Sequence, residues 1–89
     1  MSRVTTIRAA LERALQPQRL EIADDSAAHA GHAGAASGRG HFSVEIVSAA
    51  FAGKPPLARH RMVYDALGAL MQTDIHALSI RAVAPGETS

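Results

Sequence analysis

The feature that most constrains this fold is a fifteen-residue segment, residues 26–40, with no aliphatic side chain larger than alanine. It reads SAAHAGHAGAASGRG and contains four glycines and two of the five histidines of the chain, His29 and His32. The segment has no apolar periodicity, so it predicts a loop rather than a helix or strand. Loops this long inside a compact domain tend to be functional or disordered. The regular elements must therefore form on either side of it.

The residues before this loop predict one helix and one strand. An apolar stripe of helical spacing defines the helix, with Ser2 or Thr5 as its cap and Pro17 at its end: Val4, Ile7, Leu11, Ala14 and Leu15. Leu20 and Ile22 then alternate with charged residues, which is typical of a strand with one buried face.

The residues after the loop predict a strand, a short helical turn, a long helix and a last strand. Phe42, Val44 and Ile46 alternate with polar residues in the first of these strands. Ser48 is expected to cap the short turn, and residues 57–72 have the apolar stripe of one long helix. In the last strand, His76 has the same parity as Leu78.

This order, α, β, β, short α, α, β, predicts an α+β fold with a three-stranded mixed sheet. The first two strands should form an antiparallel hairpin, and the helical crossover should return the last strand parallel to the second. Helices are expected to cover one face of the sheet. We expect one domain over residues 1–84 and a flexible tail over residues 85–89.

The composition excludes several function classes. The net charge is +1, so the chain lacks the broad positive charge of many nucleic-acid-binding proteins. It has no cysteine, so any metal site depends on histidines and carboxylates. The N-terminal residues have no continuous apolar run, which predicts a soluble cytoplasmic protein with no membrane attachment. We also expect no enzymatic activity, because no nucleophile is paired with a base at a recognisable spacing.

Several stretches of the sequence resemble the BolA family. They are DDSAAHAGHAG, HFSVEIVSAAFAGKPPLARHRMVYDAL and IHALSI, and the resemblance runs from Ile7 to about Val83. It implies a class II KH-like αββααβ fold. It also implies a partner, a monothiol glutaredoxin, with which BolA-like proteins share a 2Fe-2S cluster.

In the arrangement that the resemblance implies, the glutaredoxin cysteine and glutathione supply sulfur ligands. The BolA-like chain supplies the histidine of the HAL motif, here His76, and one residue of the loop between the first two strands. The loop candidates are His29, His32 and His41. The chain is then expected to be a monomer alone and a heterodimer with its partner, acting in iron-sulfur trafficking or iron-responsive regulation.

Other interpretations of these residues stay open. The parity of His76 is also that of a histidine at the core edge, and two loop histidines with His76 could instead bind zinc or copper. The family is also linked to transcription regulation and DNA binding. For that alternative the candidate residues are Lys54, Arg59 and Arg61, although GKPP is not the GxxG clamp of a KH domain.

Overall fold

In the computed structural model, which describes residues 2–26 and 39–87, the elements follow the predicted order. They are α1 (Arg3–Leu15), β1 (Arg19–Asp24), β2 (Gly40–Val47), a 3-10 turn (Ala49–Phe51), α2 (Pro56–Leu67), α3 (Leu70–Thr73) and β3 (Ile75–Val83). The sheet order is β1-β2-β3, with β1 antiparallel and β3 parallel to β2. The predicted mixed sheet is confirmed.

The core lies between one face of this sheet and the helices. Every second residue of β2 is buried there, which confirms the alternation read from the sequence. The buried apolar residues are Ile7, Leu11, Leu15, Phe42, Val44, Ile46, Phe51, Val63, Leu67, Ile75 and Ala84. The opposite face of the sheet carries the ion pairs of Glu45 with Arg19 and Arg81.

The caps of α1 and of the 3-10 turn are those expected from the sequence. Ser2 caps α1 by accepting a hydrogen bond from the Thr5 backbone N–H. Ser48 is buried, and its hydroxyl accepts from Ala50 N–H and donates to the carbonyl of Leu15. This one side chain therefore joins the end of α1 to the segment after β2.

The prediction of one long helix over residues 57–72 is wrong at Gly68. Here α2 ends, with Gly68 at φ 54° and ψ −126° and its N–H donating to the carbonyl of Tyr64. A positive φ is accessible to glycine because it has no Cβ, so the chain changes direction and α3 starts at Leu70. The apolar stripe continues through this break, which is why periodicity alone indicated one helix.

Candidate metal-ligand site

The site lies where β2 and β3 begin side by side. Along most of their length the two strands pair residue for residue, but Gly40 is opposite Ile75 whereas His41 is opposite Ala77. His76 is therefore the extra residue of a β-bulge. Ile75 is buried, and both His76 and Ala77 are exposed.

This bulge corrects the position expected for His76 from its parity with Leu78. An uninterrupted alternation would turn His76 toward the core edge. The extra residue shifts the alternation by one place, so that His76 lies on the solvent side of the strand. Its ring is there beside that of His41, with 5.1 Å between ring centroids and 49° between ring planes.

Both backbone polar groups of His41 are hydrogen-bonded. Its N–H donates to the Ser26 hydroxyl at 3.1 Å, and its carbonyl accepts from Asp25 N–H at 2.7 Å. Ser43 donates its hydroxyl to the Asp25 carboxylate, which adds a second connection from Asp25 to β2. His41 is half-buried and its Nε2 atom is shielded from solvent. These contacts fix His41 more tightly than a residue in a free loop.

The residues at the two ends of the predicted loop also meet here. Ser26 is at the first end, and hydrogen bonds with it hold the pKa of Asp24 below its usual value. At the second end, Arg39 places its Nη2 atom 3.4 Å from Nδ1 of His76, and Gly40 N–H donates to the carbonyl of Asp74. His29 and His32 lie outside the described residues.

Gly40 is required by the close packing at this point. A Cβ atom built on it would lie 2.7 Å from both a Phe42 ring carbon and the Ser26 hydroxyl oxygen. Both distances are shorter than any ordinary van der Waals contact. The sequence pattern indicated a glycine-rich loop but gave no sign that its last glycine is a packing requirement.

The pair His41 and His76 is not by itself a complete metal site. Among residues 2–26 and 39–87, no group of three or more histidine, cysteine or acidic side chains could hold a metal ion. Two neutral imidazoles are nevertheless suitable donors for iron, zinc or copper. His76 is the accessible one of the two, because it is exposed and His41 is half-buried.

A family model described as BolA-like protein matches residues 11–87. The chain belongs to the BolA family. The match includes both His41 and His76, and it extends three residues beyond the domain boundary at residue 84 that we predicted from the sequence.

Comparisons with individual proteins agree with this assignment. The BolA domain of SufE1 from Arabidopsis thaliana has a TM-score of 0.86 and 44% identity, covering 99% of this chain and 98% of that one. BolA-like protein 1 of Mus musculus is 44% identical over 91% of this chain. The DNA-binding transcriptional regulator BolA of Escherichia coli is 43% identical over 79% of this chain and 64% of its own length.

Several relatives are longer than this BolA-family chain. It spans 24% of SufE-like protein 1 of Arabidopsis thaliana, a relative named as chloroplastic/mitochondrial, and 57% of the mouse protein. Within the described part of the chain, no helix has the length and apolarity needed to cross a membrane.

The basic residues proposed for DNA binding differ in what they contact. Arg59 donates to the carbonyls of Lys54 at 2.8 Å and Ala82 at 3.1 Å, and both its Nη atoms bind the Glu87 carboxylate, at 2.6 and 2.8 Å. Through these contacts its guanidinium joins α2 to the end of β3. Lys54 and Arg61 are exposed.

The anchor at Glu87 was not anticipated by the sequence either. We expected a flexible tail from residue 85, but Glu87 binds Arg59 and also accepts from Ala84 N–H at 2.9 Å. Hydrogen bonds from Arg59 and Ala84, with the positive charge of Arg59, lower the pKa of Glu87 to about 2. Residues 88–89 lie outside the described part.

Proposed function

We propose that this BolA-family chain is an adaptor that pairs with a monothiol glutaredoxin and contributes histidine ligands to a shared 2Fe-2S cluster. The observation that carries the proposal is the bulge at the start of β3, which holds the His76 ring on the solvent side, 5.1 Å from that of His41. An exposed imidazole on a rigid strand can reach a metal held by a second protein. A buried one cannot.

The donor set fits a cluster that is completed by a partner. His76 offers one accessible imidazole, and histidine replaces thiolate at one iron in Rieske-type 2Fe-2S centres. When bound, the cluster supplies electron transfer or is itself the cargo. In this chain, a ring nitrogen of His76 would bind the iron, and His41 packs against the His76 ring.

We propose that the second ligand is His29 or His32 rather than His41. Nε2 of His41 is shielded from solvent, which does not favour a ligand that a partner must reach. His29 is three residues after Ser26, so covalent geometry keeps their Cα atoms within about 11 Å of each other. Ser26 is itself fixed beside the site, because its hydroxyl accepts from the His41 backbone N–H.

Reconstitution with a cluster-loaded monothiol glutaredoxin and glutathione tests the proposal. The visible circular dichroism spectrum should change when this chain is added, and His76→Ala should abolish the change. His60→Gln is the control, since it removes a histidine from a different element, α2, where it is half-buried. No spectral change with the wild-type chain, or an equal change with His76→Ala, would contradict the proposal.

DNA binding is the second candidate function. The relative from Escherichia coli is named as a DNA-binding transcriptional regulator, and Lys54 and Arg61 are exposed near the start of α2. Arg59 is not proposed to contact DNA, because its guanidinium N–H groups donate to Ala82 and Glu87 within the fold.

Two further parts of the proposal concern chemistry and location. We propose no catalytic activity for this chain, whose role is to bind the shared cluster and pass it on. We propose the cytoplasm as its location, whereas some relatives are named as chloroplastic or mitochondrial.

A further inference from the structure

We propose that Arg39 is a positioning residue that decides which nitrogen of His76 is available to a metal. This inference rests on the proposed function. It starts from the 3.4 Å contact between Nη2 of Arg39 and Nδ1 of His76. Arg39 is held opposite that ring because the next residue, Gly40, donates its N–H to the carbonyl of Asp74, two residues before His76.

The donor in this hydrogen bond is fixed by chemistry. A guanidinium has only N–H donors and no acceptor, so Nδ1 of His76 must be the acceptor. A neutral imidazole that accepts at Nδ1 carries its proton on Nε2. The contact with Arg39 therefore selects the Nε2–H tautomer of His76.

In that tautomer neither ring nitrogen offers a free lone pair. The lone pair of Nδ1 accepts from Arg39, and Nε2 carries the proton. If the ring stays neutral, a metal can bind His76 in two ways. Either Arg39 leaves Nδ1, or the proton passes from Nε2 to Nδ1 through solvent. The second route places an N–H opposite the N–H of Arg39, so it also breaks the contact.

Arg39 and a metal thus compete for the His76 ring.

The tautomer of His76 in the full chain gives a direct test. Long-range proton–nitrogen correlation spectra of the imidazole would be recorded at about pH 8.5, where an ordinary imidazole is neutral. The wild-type ring should be mainly the Nε2–H form. Arg39→Met should raise the Nδ1–H fraction severalfold, and Arg39→Lys, which keeps a cationic donor, should restore the wild-type ratio at least in part.

Titration of cluster-loaded glutaredoxin with the same variants gives the second measurement. Arg39→Met should bind about two- to tenfold more tightly than wild type, as expected for the loss of one competing exposed hydrogen bond. Arg81→Met is the matched control, since it removes the same charge from the body of β3, and it should behave as wild type.

Two outcomes would overturn the proposal: equal tautomer populations in wild type and Arg39→Met, or weaker binding of Arg39→Met. Its failure is distinguishable from failure of the proposed function. The tautomer is measured without partner or metal, whereas the proposed function fails if the wild-type chain leaves the spectrum of the cluster-loaded glutaredoxin unchanged, or if His76→Ala changes it as much as wild type does.

Discussion

His41 and His76 are 35 positions apart in the chain, and a single extra residue in the β2–β3 ladder places their rings 5.1 Å apart. The bulge turns His76 to the same side as His41, and the Ser26 and Asp25 contacts hold His41 in place. A strand without the bulge would leave these two imidazoles on opposite faces. The candidate site therefore depends on local backbone geometry as much as on residue type.

Gly40→Ala tests the packing beside this site. The added Cβ would be 2.7 Å from the Phe42 ring and from the Ser26 oxygen, so the buried ring or the β2 backbone must shift. Overpacking of this kind lowers the free energy of unfolding by about 1–3 kcal/mol. Urea denaturation should show that loss of stability.

Gly86→Ala is the control for Gly40→Ala, because nothing lies within 4 Å of its added Cβ and only its positive φ opposes the substitution. Gly86→Ala should lower the free energy of unfolding by about 1 kcal/mol. A smaller loss for Gly40→Ala than for Gly86→Ala would show that the close approach at Gly40 is not present in solution.

Ser48→Ala tests the connection between α1 and the segment after β2. The substitution removes the donor to the Leu15 carbonyl and the cap of Ala50 N–H in a buried position. We expect a loss of about 1–3 kcal/mol in the free energy of unfolding. Ser79→Ala, at an exposed position of β3, should change it by less than about 0.5 kcal/mol. Similar effects of the two substitutions would contradict the assigned role.

Acid titration tests the contact between Arg59 and Glu87. The pKa of Glu87 is lowered in the folded protein from 4.5 to about 2, so the folded state favours the ionised carboxylate. Its stabilising contribution is complete above pH 4.5 and is lost as the pH falls toward 2. The stability difference between wild type and Glu87→Gln should therefore shrink on acidification. A difference independent of pH over this range would contradict the ion pair.

Salt dependence tests the second candidate function. If Lys54 and Arg61 contact phosphates, each alanine substitution should weaken DNA binding and reduce the slope of log K against log salt by about 1. Arg59→Ala should instead lower the melting temperature, because Arg59 holds the end of β3. Binding that does not change with salt, or slopes unaffected by Lys54→Ala and Arg61→Ala, would exclude this surface as a DNA interface.

The sheet was predictable because its signals are local. The alternation of Phe42, Val44 and Ile46 is complete within β2, and the parallel return of β3 follows from the helical crossover. The bulge was not predictable, because the apolar alternation of β3 resumes at Leu78 and the shift lies only between Ile75 and Leu78.

The roles of Arg59 and Gly68 could not be predicted from the sequence either. The partner of Arg59 is Glu87, 28 residues away, and sequence alone indicated only a basic helix start. At Gly68 the apolar stripe gives no sign of a break, since residues on both sides face the core. In both cases the deciding contact or dihedral is set by tertiary structure.

Nitrogen hyperfine spectroscopy of the shared cluster shows directly whether His76 is one of its ligands. This chain would be produced with ¹⁵N-labelled histidine, combined with unlabelled cluster-loaded glutaredoxin and glutathione, and reduced for electron–nuclear double resonance. We expect strong ¹⁵N coupling that is clearly reduced in His76→Ala, where only the second histidine ligand remains, and that is retained in full in His60→Gln. A cluster with no ¹⁵N coupling in the wild-type mixture, or with coupling unchanged by His76→Ala, would contradict it.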